Sequence, residues 1–269
     1  PHPTLTLAPP RLRTSAPPRL RASAPRQVVP PELVDLVRST ERAEQAACAR
    51  EIEGVDELTG YDHRCIFDRN EAASWASAAL ATDGDIFVEG AKQQEMLTFL
   101  NIYRKAGGWF DVREDGIQFR RGGPLKPVIV ETDVHPGFMT DWQQPLIVAL
   151  TQAEGESVVH ETVYENRFGF TDALNKMGAS IAVHRDGLDA PYRRVPRRAL
   201  EQAAVVTGPT PLHGADVVVP DLRGGYSHLI AALTADGEST VRGVGILSRG
   251  YEKLFTKLSA LGADFDIVG

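Results

Sequence analysis

Along residues 51–269 the apolar and polar positions follow the same order three times. The first passage reads DRNEAASWASAALATDGDIFVEG, then QQEMLTFLNIYRKAGGWFDV. The second reads DWQQPLIVALTQAEGESVVHE, then NRFGFTDALNKMGASIAV. The third reads DLRGGYSHLIAALTADGESTVRG, then SRGYEKLFTKLSALGADFDI. Each opens on an aspartate, runs through an apolar helix ending in Ala-Leu and turns at a glycine into a short β-branched strand. A second helix follows, then Gly-Ala or Gly-Gly and another strand. A β-α-β-α-β-like unit of about 75 residues, repeated, is the signature of an internally symmetric domain.

The two helices of each unit differ in kind. In ASWASAAL, QPLIVALTQA and YSHLIAALTA, apolar and small residues cover nearly every face, which marks a buried helix. Second helices such as YEKLFTKLSAL carry charges along one side. With the first helices inside, the strands must form sheets facing outward. The pattern predicts a three-repeat, inside-out α/β barrel domain with pseudo-threefold symmetry, helices inside and sheets outside, in which stacking buries what no unit buries alone. Gly107, Gly178 and Gly262 stand where a helix ends on a residue of positive φ.

Residues 1–50 have another composition. APPRLRTS at 8–15 is followed directly by APPRLRAS at 16–23, and no acid precedes Glu32. Such Pro- and Arg-rich sequence cannot bury a core, and disorder is the expectation. Net charge over the whole chain is −7, which excludes a general nucleic-acid binder, so any anion site must be local. Cys48 and Cys65 form neither a metal-ligand spacing nor a disulfide framework. With no apolar run near the roughly 18 residues of a membrane span and no signal core, a soluble cytoplasmic protein is expected.

Candidate chemistry lies where the repeats stop being equivalent. Asp68, Asp141 and Asp221 each precede a first helix, and N-capping accounts for all three. Asp141 is set apart by Phe138, Met139 and Trp142, an apolar wall that would raise its pKa toward that of a working base. A cap can double as a base. Arg167 and Arg249 follow the strand-opening Gly155 and Gly237 by the same interval and begin second helices, where the first repeat has Met96. Guanidinium and free helix N–H groups together suit a phosphate or carboxylate; an ion pair with Glu165 or Glu252 is the alternative. Arg223 adds a third cation at a helix start. His135, His160 and His228 are lone histidines with structural roles expected, and no metal is predicted. Neither a dinucleotide, nor a phosphate-loop, nor a nucleophile-elbow motif is present.

The segments TDVHPGFMTDWQQ, HETVYENRF, VVPDLRGGYSHLIAAL and SRGYEKLFTKLSALGA resemble the UDP-N-acetylglucosamine 1-carboxyvinyltransferase family, over residues 51–269 in order. TDxQ, ENRF and RGYE look like that branch of the enolpyruvyl transferases rather than the shikimate-phosphate branch. The resemblance implies a cytoplasmic enzyme of peptidoglycan synthesis, serving cell-wall growth, division and shape, without metal or redox cofactor. Its substrates would be phosphoenolpyruvate and UDP-N-acetylglucosamine. It implies that Asp141 accepts the sugar 3-hydroxyl proton and that Val163 contacts the UDP-sugar through its backbone, with Arg167 nearby. Asp221 and Arg223 would line the cleft, and Arg249 would hold the phosphoenolpyruvate anion.

The family resemblance also implies a second domain, supplying a Lys-Asn pair, an arginine and a cysteine-bearing loop, none of which is found here. PPELVDLVRS at 30–39 resembles only the tail of that domain, and the segment to Arg50 is unpatterned, so the chain's start is expected to be out of frame or truncated. Two other readings follow: a non-catalytic remnant or ligand-binding half, and a shikimate-3-phosphate relative.

Overall fold

The computed structural model describes residues 4–7, 19–21, 56–58, 60–184 and 202–268. The chain forms two compact units, residues 23–67 and the remainder. In the smaller unit the rings of Tyr61 and His63 lie 5.7 Å apart, and Cys65 is a half-buried free thiol. Cys48 and residues 30–50 lie outside the described residues.

The larger unit begins with two short strands, β1 (Thr4–Leu7) and β2 (Arg19–Arg21). The first repeat then contributes α1 (Arg69–Ala81), β3 (Asp85–Glu89), α2 (Leu97–Lys105), β4 (Gly108–Arg113) and β5 (Gly116–Arg121). The second contributes β6 (Ile129–Glu131), α3 (Thr140–Leu150), β7 (Gly155–Glu161), α4 (Thr171–Lys176), β8 (Ser180–His184) and β9 (Gln202–Gly208). The third contributes β10 (Asp216–Val218), α5 (Leu222–Thr234), β11 (Ser239–Arg242), a 3-10 helix over Val244–Arg249, α6 (Leu254–Ala260) and β12 (Phe265–Val268).

Three four-stranded sheets share one plan. The second repeat builds its sheet alone, in the order β6-β7-β9-β8, with β6 parallel to β7 and β9 antiparallel to both β7 and β8. In the other two sheets the chain's first residues take the remaining places. β2 lies parallel to β3, where β6 lies against β7, and β1 lies antiparallel between β11 and β12, where β9 lies between its neighbours. The expectation of disorder over residues 1–50 therefore does not describe these two stretches. A segment that cannot bury a core of its own can still lend its backbone to a sheet whose strands have N–H and C=O groups awaiting partners, β2 at an edge and β1 between two strands.

Inside the sheets, α1, α3 and α5 pack against one another. Burial is continuous from Glu71 to Ala81, from Trp142 to Leu150 and from Gly224 to Leu233. Alanine, serine and glycine let these helices approach closely. Hydroxyls on these helices bond back to the preceding turn: buried Ser77 to the Ala73 carbonyl at 2.8 Å and half-buried Thr234 to the Ile230 carbonyl at 2.9 Å. The second helices show one apolar side, as predicted; α2 buries Phe99, Leu100 and Tyr103 and exposes much of the rest. Gly107 and Gly178 follow α2 and α4 at φ 101°, and a Cβ on Gly107 would stand 2.6 Å from the Pro124 carbonyl oxygen.

Candidate functional site

The site forms at the N-terminal ends of the three inner helices. Asp68 caps α1, its Oδ1 accepting from the backbone N–H groups of Asn70 at 2.8 Å and Glu71 at 3.0 Å. Asp221 caps α5 likewise, accepting from Arg223 and Gly224 at 2.9 Å each. Asp141 departs from this pattern. The cap of α3 is Met139, and Asp141 is the second residue inside the helix. The sequence repeats align Asp141 with the two caps, but the helices are offset by two residues, and its side chain caps nothing.

Once the helices are aligned on their caps, the residues equivalent to Asp141 are Asn70 and Arg223, each second in its helix. All three side chains meet. The Asn70 amide donates to Asp141 Oδ2 at 3.2 Å, and Arg223 Nε stands 3.6 Å from the same oxygen. Arg167 donates to the other oxygen, Oδ1, from a terminal guanidinium nitrogen. One pseudo-threefold position thus holds an amide, a carboxylate and a guanidinium.

The groups that meet the Asp141 carboxylate are polar and charged. Phe138 and Trp142 are buried, but their rings pack edge-on against each other at 5.6 Å and both join Phe99 of the first repeat. They anchor the start of α3 to its neighbour, while the carboxylate turns toward cations.

Of the three candidate arginines, Arg167, Arg223 and Arg249, only Arg223 stands at a helix start. Arg167 sits in the turn before α4, and Arg249 ends the 3-10 helix ahead of α6. Phe168 to Phe170 separate Arg167 from α4, and Gly250 to Lys253 separate Arg249 from α6, whereas in the first repeat Met96 directly caps α2. Neither Glu165 nor Glu252 pairs with them among the described residues. Arg167 pairs with Asp141 and lies over the Tyr164 ring at 5.1 Å. Arg249 is exposed and outside the Asp141 cluster.

Arg223 is packed tightly. Its guanidinium lies 5.3 Å from the centroid of Tyr251, a buried ring that stacks on Tyr226 at 4.3 Å and meets the Ser74 hydroxyl at 3.0 Å. Burial, the largest single influence, acts to lower the Arg223 pKa. Tyr251 and the carboxylates of Asp68 and Asp141 outweigh it and hold the group above the ordinary arginine value, so the charge is permanent. Arg223 Nη1 and Arg167 Nε have no hydrogen-bond acceptor among the described residues.

Two groups escaped the sequence reading. Asn70 was missed because its partner lies in another repeat. Glu161, the last residue of β7, is fully buried and accepts from Thr140 Oγ1 at 2.7 Å, from Gln143 Nε2, and from the backbone N–H groups of Val163 at 2.7 Å and Tyr164 at 2.8 Å. The Val163 N–H is therefore spent on Glu161, leaving its carbonyl as the backbone group to offer. Of the lone histidines, His160 faces Glu131 at 3.3 Å and buried His228 meets the Phe170 carbonyl at 3.2 Å, while His135 is exposed. Among the described residues no cluster of His, Cys, Asp or Glu could hold a metal ion, and no helix is long and apolar enough to cross a membrane.

Comparison with known proteins agrees with this architecture. Residues 41–258 match the family model of EPSP synthase (3-phosphoshikimate 1-carboxyvinyltransferase). The UDP-N-acetylglucosamine 1-carboxyvinyltransferase of Protochlamydia amoebophila is 50% identical over 218 residues, covering 81% of this chain and 47% of the relative. That of Chlamydia trachomatis serovar D is 46% identical over 215 residues, covering 79% and 48%. The chain spans about half the length of the curated relatives it matches. Among solved structures, the enolpyruvyl transferase NikO from Streptomyces tendae superposes with a TM-score of 0.64 at 29% identity, over 76% of this chain and 45% of that one. EPSP synthase from Acinetobacter baumannii, at 17% identity and a TM-score of 0.57 over 74% and 46%, shares the fold. The chain belongs to the EPSP synthase family.

Proposed function

We propose that this chain carries the acceptor-binding half of an enolpyruvyl transferase that moves the enolpyruvyl group of phosphoenolpyruvate to the 3-hydroxyl of UDP-N-acetylglucosamine. The observation that carries this reading is the Asp141 carboxylate set between Arg167 and Arg223. A base for a sugar hydroxyl and cations for an anionic co-substrate stand there within one hydrogen-bonded cluster. The names of relatives at 46–50% identity support the UDP-sugar over shikimate 3-phosphate as acceptor.

In this mechanism the 3-hydroxyl oxygen bonds to C2 of phosphoenolpyruvate as Asp141 takes its proton, and a second proton adds at C3. The tetrahedral adduct then loses phosphate together with a C3 proton, which restores the double bond on the sugar ether. Arg249 holds the phosphoenolpyruvate anion; Arg167, Arg223, Asp221 and the Val163 carbonyl shape the acceptor side. The product would open peptidoglycan synthesis in the cytoplasm, and so serve wall growth, division and shape.

Residues 1–269 match about half the length of the curated relatives, and each donor to a developing charge is worth about 3 kcal/mol of transition-state stabilisation. Taken by themselves, these residues are expected to bind UDP-N-acetylglucosamine without turnover. Calorimetric titration with UDP-N-acetylglucosamine and with shikimate 3-phosphate tests the acceptor, and phosphate release from phosphoenolpyruvate tests turnover. Binding of shikimate 3-phosphate alone would sink the assignment; sustained phosphate release abolished by Asp141→Asn would show that this chain is an enzyme unaided.

A further inference from the structure

We infer that Glu161 is a positioning residue that fixes the Asp141–Arg167 pair by joining the two segments that carry them. Its oxygens divide the work. Oε2 accepts from Thr140 and Gln143, the residues on either side of Asp141 and Trp142 in the first turn of α3. Oε1 accepts from the N–H groups of Val163 and Tyr164, where the turn leading to Arg167 begins. A carboxylate has room for about four such bonds, and here four donors use it, with no solvent exposure of the residue. The direct contact of Arg167 with Asp141 closes a ring: α3, Glu161, the 162–167 turn, Arg167, and α3 again.

The stretch that carries Arg167 belongs to no strand or helix, since β7 ends at Glu161 and α4 does not begin until Thr171. Thr132 holds its start through Thr162, and Gln202 meets Asn166, but Glu161 is what joins it to the first turn of α3 and so helps set how far Arg167 stands from Asp141. Glutamine has nearly the same shape but carries no charge, and its amide NH2 is satisfied only if the Thr140 hydroxyl and the Gln143 amide turn round to accept, which alters the tie to α3. The effect of that change must appear at Arg167, which Glu161 does not touch.

The test uses the full chain, first without ligand. Exchange with water of the Arg167 terminal guanidinium N–H that donates to Asp141, followed by NMR at low temperature, is expected to rise about tenfold in Glu161→Gln, the scale of one unmade buried hydrogen bond, while α5 amides keep their protection. Thr140→Val removes a single donor and keeps the shape; it is expected to act in the same direction by about threefold and decides the matter if Glu161→Gln does not fold. Unchanged Arg167 exchange in a folded variant overturns the proposal.

The second measurement rests on the functional reading above. Glu161→Gln should weaken UDP-N-acetylglucosamine binding about tenfold alone but less than about threefold in an Arg167→Gln background. Equal losses in both backgrounds would mean a general structural role and overturn the proposal. If the unaltered chain binds no UDP-N-acetylglucosamine, the functional reading fails by itself, and the exchange measurement still decides the role of Glu161.

Discussion

Asn70 and Asp141 occupy the same place in neighbouring repeats, second residue of an inner helix, and the amide of one donates to the carboxylate of the other at 3.2 Å. Arg223 holds the third equivalent place. Repetition built the scaffold, and differing side chains at one symmetry-related position built the site. A carboxylate accepts only, so the orientation of the Asn70 amide is dictated by its partner. If the contact forms in solution, Asn70→Ala and Asp141→Ala should be coupled by about 1.5 kcal/mol in a double-mutant cycle of urea unfolding, the lower end of the range for a bond to a charged group because Asp141 is partly exposed. Additive effects would mean that the pair does not form.

The three aspartates give a sharper contrast under one chemical change. Asparagine caps a helix about as well as aspartate, so Asp68→Asn and Asp221→Asn should each shift stability by less than about 0.5 kcal/mol. Asp141→Asn removes the charge between two guanidiniums and caps nothing; it should cost about 2 kcal/mol. Urea midpoints for the three variants measure this directly. Equal shifts would restore the equivalence that the sequence repeats suggest.

That false equivalence shows where the sequence is legible and where it is not. The repeat, the buried inner helices and the glycines after α2 and α4 all follow from local pattern, because burial on every face and positive φ leave compositional marks. The offset of Asp141 leaves none: PGFMTD looks like an approach to a cap, and only backbone geometry shows that Met139 takes that role. The rings of Phe138 and Trp142 were expected to face the carboxylate because they stand near it in sequence, yet they pack on each other and on Phe99 of another repeat. Arg223 and Asp141 were separately recognisable, but their meeting depends on repeat-to-repeat packing. Glu161 carries no motif of its own; what distinguishes it is the number of donors that converge on it.

A buried ion pair also crosses between repeats. Lys257 on α6 donates to Glu71 on α1, whose same oxygen accepts from the Trp75 indole at 3.2 Å. Burial raises the Glu71 pKa above its ordinary 4.5, with Lys257 and Trp75 opposing. Lys257→Met leaves the carboxylate buried without its cation and should cost about 3 kcal/mol at neutral pH. A carboxyl group with a raised folded-state pKa contributes stability below its unfolded value and loses it as pH rises through the folded value. The cost of Lys257→Met should therefore shrink toward pH 4.5, and adding Glu71→Gln should recover most of it at pH 7. Denaturant unfolding at the two pH values checks both; a cost independent of pH would mean that lost packing, not the stranded charge, is responsible.

His228 sets the acid limit on the same principle with the opposite sign. Its ring is buried within α5, and burial lowers its pKa below the ordinary 6.5 despite the Phe170 and Val218 backbone groups and the Asp221 carboxylate, which favour the charged form. A histidine whose folded-state pKa is depressed contributes stability above its unfolded value and loses it as pH falls through the folded value. The thermal midpoint should hold steady above pH 6.5 and decline as the solution is made more acidic. His228→Gln keeps a polar group near the Phe170 carbonyl but cannot take up a proton, so it should flatten that decline in the range just below pH 6.5, where surface carboxylates have yet to titrate. Thermal unfolding of both proteins across this range measures the difference, and parallel slopes would assign the acid sensitivity to other groups.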